Sequence, residues 1–278
     1  MPGKQFTHFL CLPLVNKHSN PQLQASFQHF VTTVANKHGL PAKAIRPVGT
    51  IHLTLGVMNL PTEEHVRAAS AFLGSLDMVQ LLEAAATQNV LPTWEGERLP
   101  TDQAAPSMTS LLQTRNGSTR SGTITQVAGP DALTEPLMVS LTGLQSMHNP
   151  VKTSILYTSP ADLTFRLRGF CEALCNQFTS RGFLVPDKRP LLLHATIVNT
   201  LYAKGSRNRP KDSGHGKSNH GVGKFDATAL LEEFGAYEWA KDIRIEKVCI
   251  CQMGAKKEVV DKVVVNEEYL EAASAVLP

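Results

Sequence analysis

Two short segments of this chain carry side chains suited to moving protons around a phosphate. His52-Leu53-Thr54 lies within TIHLTLGVMNL, and His194-Ala195-Thr196 lies within LLLHATIVNT. Both stretches alternate or run apolar in the manner of β-strands. Residues i and i+2 of a strand point to the same face, so each imidazole shares a face with its threonine hydroxyl. An unperturbed imidazole titrates near pH 6.5, so close to neutrality one histidine can accept a proton while another donates one. Two such groups on opposite sides of a phosphorus suit in-line displacement. One activates the attacking hydroxyl and the other protonates the leaving oxygen, while the threonine hydroxyls hold the non-bridging oxygens. No metal or cofactor is needed for this chemistry. A single H-x-T in a strand is most simply a structural histidine. Two copies at matching places point to function, although spacing alone leaves open whether the two strands face each other.

The elements that must position these residues follow from pattern. Phe6 to Val15 reads as a strand rich in Phe, Leu and Val. Asn20 and Pro21 then open a helix that runs to about His38, with Leu23, Phe27, Phe30, Val31 and Val34 at helical spacing. The first H-x-T strand, Thr50 to Leu60, ends at Pro61. Thr62 caps a second helix, with Glu63 and Glu64 at its positive end, that runs to about Ala86. Strands follow at Pro136 to Met147 and Lys152 to Thr158. A helix is expected from about Ala161 to Ser180, opened by Ser159-Pro160, and then the second H-x-T strand. Phe225 to Glu233 reads as a short helix, Asp242 to Gln252 as a strand, and the tail from Asn266 to Leu277 as a short helix. Each half thus has a long helix followed by a strand bearing His two residues before Thr, an internal similarity.

Residues 87–134 break this rhythm with scattered Thr, Ser, Gly, Gln and Pro, and read as a long, partly disordered insertion. Residues 202–224 read as a flexible basic loop. The formal charge of the whole chain is only +3, yet residues 201–224 hold six basic side chains against Asp212 alone. The positive excess therefore sits just after the second H-x-T strand, where it is either an electrostatic guide for nucleic acid or a solvated loop. The hydrophobic fraction of 42% and the balanced charge exclude wholesale disorder, and no apolar run reaches the length of a membrane span. Five cysteines are too few for a secreted disulfide scaffold, so an intracellular protein, cytoplasmic or nuclear, is expected. Cys171 and Cys175 share a helix face and Cys249 and Cys251 a strand face. Their apolar neighbours suit buried small hydrophobes rather than zinc ligands.

IHLTLGV and LHATIVN resemble the paired H-x-T/S motifs of the 2H phosphoesterase superfamily. FTHFLCLPL is similar to the usual first strand. PLMVSLTGLQSM with KTSILYTSP, then KFDATALLEEFG and IRIEKVCICQMG, resemble one branch of it. That branch contains the phosphoesterase-like domains of A-kinase anchor protein 7 and of activating signal cointegrator 1 complex subunit 1. The resemblance covers most of the chain outside 87–134. It implies an α+β, bilobal, LigT-like fold, a single domain over residues 1–278, with an antiparallel sheet from each lobe lining a central groove. It also implies His52 and His194 as catalytic residues and Thr54 and Thr196 as phosphate-binding hydroxyls. The implied activity is metal-independent hydrolysis of 2′,3′-cyclic phosphates or 2′–5′ linkages at RNA termini or in short oligonucleotides.

Some members of that branch bind nucleotides such as AMP without established turnover, so a silent nucleotide- or RNA-binding module, or an interaction scaffold using 87–134, is the alternative. No room is expected for an RNA-binding module ahead of the first strand. The tail after Asn266 is short for a kinase-anchoring helix. The expected partner is an RNA or nucleotide ligand, with no membrane, no kinase anchoring and a monomeric state. Tyr202 and Phe9 are candidates to stack on a base, and Lys204 and Arg46 to contact phosphate. Phe9 is also a candidate for the core.

Overall fold

A computed structural model describes residues 6–38, 40–87, 135–200, 223–260 and 263–278. Two four-stranded antiparallel sheets organise the chain. The first contains β1 (His8–Pro13), β2 (His52–Met58), β7 (Lys247–Gln252) and β10 (Glu271–Val276), in the order β10-β7-β1-β2. The second contains β3 (Met138–Ser146), β4 (Ile155–Ala161), β5 (Ala195–Asn199) and β6 (Glu238–Arg244), in the order β5-β4-β3-β6. A separate hairpin, β8 (Lys256–Val260) with β9 (Val263–Glu268), precedes β10. The two H-x-T strands, β2 and β5, occupy the same place in their sheets. Each is an edge strand, and the two edges lie against one another.

The halves exchange their helices. α1 (Ser19–Lys37) joins β1 to β2 but packs on β6 of the second sheet. Its Phe27 and Phe30 pack tilted and edge-on against the fully buried Trp239, with ring centroids 5.3 and 5.1 Å apart. Each such buried ring contributes about 2–3 kcal/mol of apolar burial. α4 (Arg166–Ser180), the equivalent helix of the second half, packs on α3 (Met78–Thr87) and reaches β2. There the Cys175 thiol donates to the carbonyl of Leu55 at 3.4 Å. The segments after these helices cross over as well. Arg46 N–H donates to Ile197 O of β5 at 2.8 Å, and Val185 N–H donates to Val57 O of β2 at 2.9 Å. Each edge strand is thus closed by chain from the other half, which is a standard way of protecting a sheet edge. One continuous apolar core runs through both halves.

Several expected elements take a different form. The helix expected from 62 to 86 is two, α2 (Glu63–Ser75) and α3, because the Asp77 carboxylate accepts from Gln80 N–H and starts a new helix. Helix α1 begins at Ser19, ahead of the expected Asn20 cap and Pro21 first position, and Asn16 Oδ1 accepts from the N–H groups of both His18 and Ser19 where it starts. Strand β4 runs through Pro160 to Ala161, where a helix was expected to open. Pro160 pairs with Leu141 on one side, and β5 has ended its pairing at Thr158, so the absent N–H leaves no ladder bond unmade. The strand expected at 242–252 is two strands in different sheets, turning at Ile245. The tail expected as a helix is instead the end of β9 followed by β10, which pairs along β7. The short helix α5 (Thr228–Glu233) lies where expected. The 87–134 insertion, apart from Thr87, and the 202–224 loop, apart from Gly223 and Lys224, lie outside the described residues. Among the described residues no helix is long and apolar enough to cross a membrane.

Candidate active site

Both histidines are held in the same way. His52 Nδ1 lies 2.7 Å from the carbonyl of Thr50, and His194 Nδ1 lies 2.9 Å from the carbonyl of Leu192. A carbonyl only accepts, so each ring keeps a proton on Nδ1 and leaves Nε2 to act, as a base in the neutral ring and as an acid in the imidazolium. In each case the anchoring carbonyl is two residues upstream of the histidine. Each H-x-T strand also carries a bulge at the same point. Pairing of β2 with β1 skips Leu55, and pairing of β5 with β4 skips Ile197, the residue just after the threonine in both strands. An extra residue there bends the strand and re-aims the side chains before it. The repeated motif is therefore a repeated geometry of anchor, imidazole, hydroxyl and bulge.

The surroundings of the two rings differ. His52 Nε2 accepts from the Thr54 hydroxyl at 2.9 Å. Its ring packs against Phe9 at 5.0 Å and Tyr269 at 5.2 Å between centroids. Burial is the main cause that pulls the His52 imidazole down to about 4. The Thr50 carbonyl opposes it, while the positive charges of Arg46 and His194 add to it. His194 stands just before β5, edge-on to Tyr157 at 5.4 Å, and its Nε2 has no hydrogen bond among the described residues. Burial raises the Tyr157 phenol above its ordinary range, so it stays protonated. Thr196 is paired across the ladder with Tyr157, and Thr54 with Cys11. Thr54 and Thr196 are both partly exposed.

His52, Thr54 and Thr196 on the edge strands β2 and β5, and His194 just ahead of β5, come together where these two strands touch, and His194 is near enough for its charge to act on His52. Phe9 lies beneath His52 but is only 3% exposed, so it belongs to the packing under the site and offers no open face. Arg46 is buried, and its guanidinium donates to the Tyr269 hydroxyl at 3.0 Å. Its backbone is fastened to the other half through Ile197 O. Tyr202 and Lys204 lie outside the described residues. Tyr269 and Tyr157 were not anticipated. Tyr157 was legible as a strand residue opposite the second motif, whereas Tyr269 was hidden in a tail of helix-forming residues. The cysteines form two separate groups, Cys171 with Cys175 on α4, and Cys11, Cys249 and Cys251 in a small cluster with Phe9. Burial raises the Cys171 thiol well above its ordinary range and the Cys175 thiol to about 11. Among the described residues no three His, Cys, Asp or Glu side chains are grouped to hold a metal ion.

A family model for the AKAP7 2′5′ RNA ligase-like domain matches residues 6–263. The chain belongs to this family. Membership bears out the expected kinship with the 2H phosphoesterases and supports a 2H phosphoesterase or RNA ligase-like function. Among curated proteins, uncharacterized protein C15D4.13c of Schizosaccharomyces pombe is 28% identical over 110 residues. That stretch covers 40% of this chain and 45% of the yeast protein, so the match spans less than half of that relative. Among solved structures, E. coli LigT complexed with 3′-AMP overlaps with a TM-score of 0.44 at 11% identity, covering 98% of each chain. TT0787 of Thermus thermophilus overlaps with a TM-score of 0.42 at 13% identity, covering 98% of this chain and 97% of that one. Likeness at this level carries nothing about ligand or residue roles. The α+β character rests on the two antiparallel sheets and their exchanged helices, and matches what an AKAP7 2′5′ RNA ligase-like domain was expected to have.

Proposed function

We propose that this AKAP7 2′5′ RNA ligase-like chain is a phosphodiesterase acting on 2′,3′-cyclic phosphates or 2′–5′ linkages at RNA termini or in short oligonucleotides. The observation that supports it most is the duplicated geometry: two imidazoles, each fixed through Nδ1 by the carbonyl two residues upstream, on strands that meet edge to edge. His52 is the general base. Its low proton affinity keeps it neutral at physiological pH, and the Thr50 carbonyl fixes the tautomer with Nε2 open. An incoming phosphate supplies the opposite charge that raises this affinity when the proton must be taken. A water or ribose hydroxyl loses its proton to His52 Nε2 as its oxygen bonds to phosphorus. The bond to the leaving oxygen breaks, and that oxygen takes the Nε2 proton of His194, which enters the step as the imidazolium and leaves it as the neutral Nδ1–H ring. Thr54 and Thr196 donate to the non-bridging oxygens. Before substrate binds, the Thr54 hydroxyl rests on His52 Nε2, so it must turn from the ring to the phosphate.

The two imidazoles supply both proton transfers, so no metal takes part in this mechanism. The test is hydrolysis of a panel of 2′,3′-cyclic and 2′–5′-linked substrates by the chain and its His52→Ala and His194→Ala variants, with chelator present. Activity should survive chelation and fall by about 10²–10⁴-fold in either variant. Full activity in either variant, or loss on chelation, overturns the mechanism. Tight nucleotide binding with no product in any case would return the silent-module reading.

A further inference from the structure

Beside His52 lies a second space that the H-x-T chemistry does not use. It is a cleft of about 460 Å³, within the roughly 300–1,000 Å³ range of small-molecule sites. The end of β1, the first turns of α1, the turn at 49–52 and the segment 266–271 wall it, and His52 stands at one side. That segment is pressed onto the turn. A Cβ at Gly49 would come within 2.6 Å of Glu267 O, so only glycine permits the approach. Pro13, Val15 and Tyr269 supply the apolar surface, over the buried Cys11, Ile51 and Cys251.

Three of the polar side chains around it are unspent among the described residues. Asn20 and Gln24 stand one turn apart on the same side of α1, and neither side chain has a hydrogen bond among the described residues. Glu271 is committed to Lys247 in an ion pair. Glu268 stands exposed at the mouth, with neither a side-chain hydrogen bond nor an ion pair among the described residues. The cleft thus offers an apolar surface, two free carboxamides and one free carboxylate beside the catalytic base.

We infer that this cleft is the subsite for the base next to the scissile phosphate, and that Glu268 makes it favour guanine. The inference rests on the phosphodiester reading above. A carboxylate accepts only, so it seeks a base edge that donates. Guanine alone presents two parallel donors, N1–H and the N2 amino group, which match the two oxygens of a carboxylate. Adenine and cytosine set a ring-nitrogen acceptor beside their amino group, and uracil sets carbonyls on both sides of its single N–H. Each of these turns a lone pair toward Glu268. The carboxamides of Asn20 and Gln24 both donate and accept, and so serve any base.

The experiment is calorimetric titration of the full chain with the 3′-monophosphates of guanosine, adenosine, cytidine and uridine, repeated with Glu268→Gln. An exposed bidentate pair gives about tenfold discrimination. The guanosine nucleotide should therefore bind about tenfold tighter than the others, and Glu268→Gln, which sets a donor beside an acceptor, should abolish that preference by weakening guanosine and not the other three. Equal affinities in the unmodified chain, a guanine preference that survives Glu268→Gln, or no binding of any of the four would each overturn the inference. Turnover of 2′,3′-cyclic nucleotides, measured alongside, separates the two readings. A guanine preference without turnover sinks the phosphodiesterase and keeps the subsite, whereas turnover indifferent to the base sinks the subsite alone.

Discussion

Acidification should expose His52 as a stability switch. In the folded protein this imidazole is held to about 4, first by burial and then by the charges of Arg46 and His194. In the unfolded chain it titrates near 6.5. Between these values the unfolded state binds the proton and the folded state does not. Stability therefore rises with pH across this window and is lost as pH falls through it. The full contribution is present above about pH 6.5. By pH 4 the loss reaches about 3 kcal/mol at most, less whatever partial solvation of the ring screens. Replacing His52 by Gln removes the titrating group and leaves every other ionisable side chain in place. Urea unfolding of both proteins at pH steps from 7.5 to 4 isolates the effect as a difference of differences. The unmodified chain should lose about 2–3 kcal/mol more than His52→Gln over that range. Equal losses, or a greater acid sensitivity in the variant, would refute the reasoning.

Four other outcomes follow from the same geometry. Arg46→Met removes a cation that disfavours imidazolium at His52, so the acid limb of the pH–rate profile should move to higher pH; an unmoved limb would show that Arg46 does not act on this ring. Gly49→Ala sets a methyl group 2.6 Å from Glu267 O and should push the segment bearing Tyr269 off His52. A drop of about 1–3 kcal/mol in stability, read by thermal unfolding, is expected together with weaker activity. Phe30→Ala opens a cavity where α1 of one half meets the sheet of the other, and should cost about 3–5 kcal/mol in denaturant titration. Because the core is continuous, the loss should appear in one shared transition rather than in one half alone. Thr54→Val and Thr196→Val should each lower turnover by about 10²-fold if each hydroxyl holds a non-bridging oxygen, measured on the substrate panel above.

The pair of H-x-T motifs was legible because strand alternation ties His52 to Thr54 and His194 to Thr196 whatever the rest of the chain does. Their arrangement was not legible. The bulges at Leu55 and Ile197 arise from pairing with β1 and β4, and nothing in IHLTLGV or LHATIVN records them. The exchange of α1 and α4 is also invisible locally, since an apolar helix stripe does not say which sheet it covers. The tail misled for a clear reason. YLEAASAV is made of good helix formers, yet β7 presents an open edge between β1 and the end of the chain, and pairing along it overrides propensity. DIRIEKVCICQ reads as one strand because its apolar residues run on without a break. The turn at Ile245, whose N–H donates to Leu137 O, sends its two ends to different sheets. Tyr269 and the cleft beside His52 depend on these two features, and so stayed out of view.

Whether His52 and His194 act on one phosphate is decided by a crystal structure of the chain with a bound nucleoside 3′-phosphate. A single phosphate should be seen with oxygens about 2.6–3.2 Å from Nε2 of both histidines and from the hydroxyls of Thr54 and Thr196. A phosphate that touches one histidine alone, or that binds away from the joined edges of β2 and β5, would contradict that arrangement.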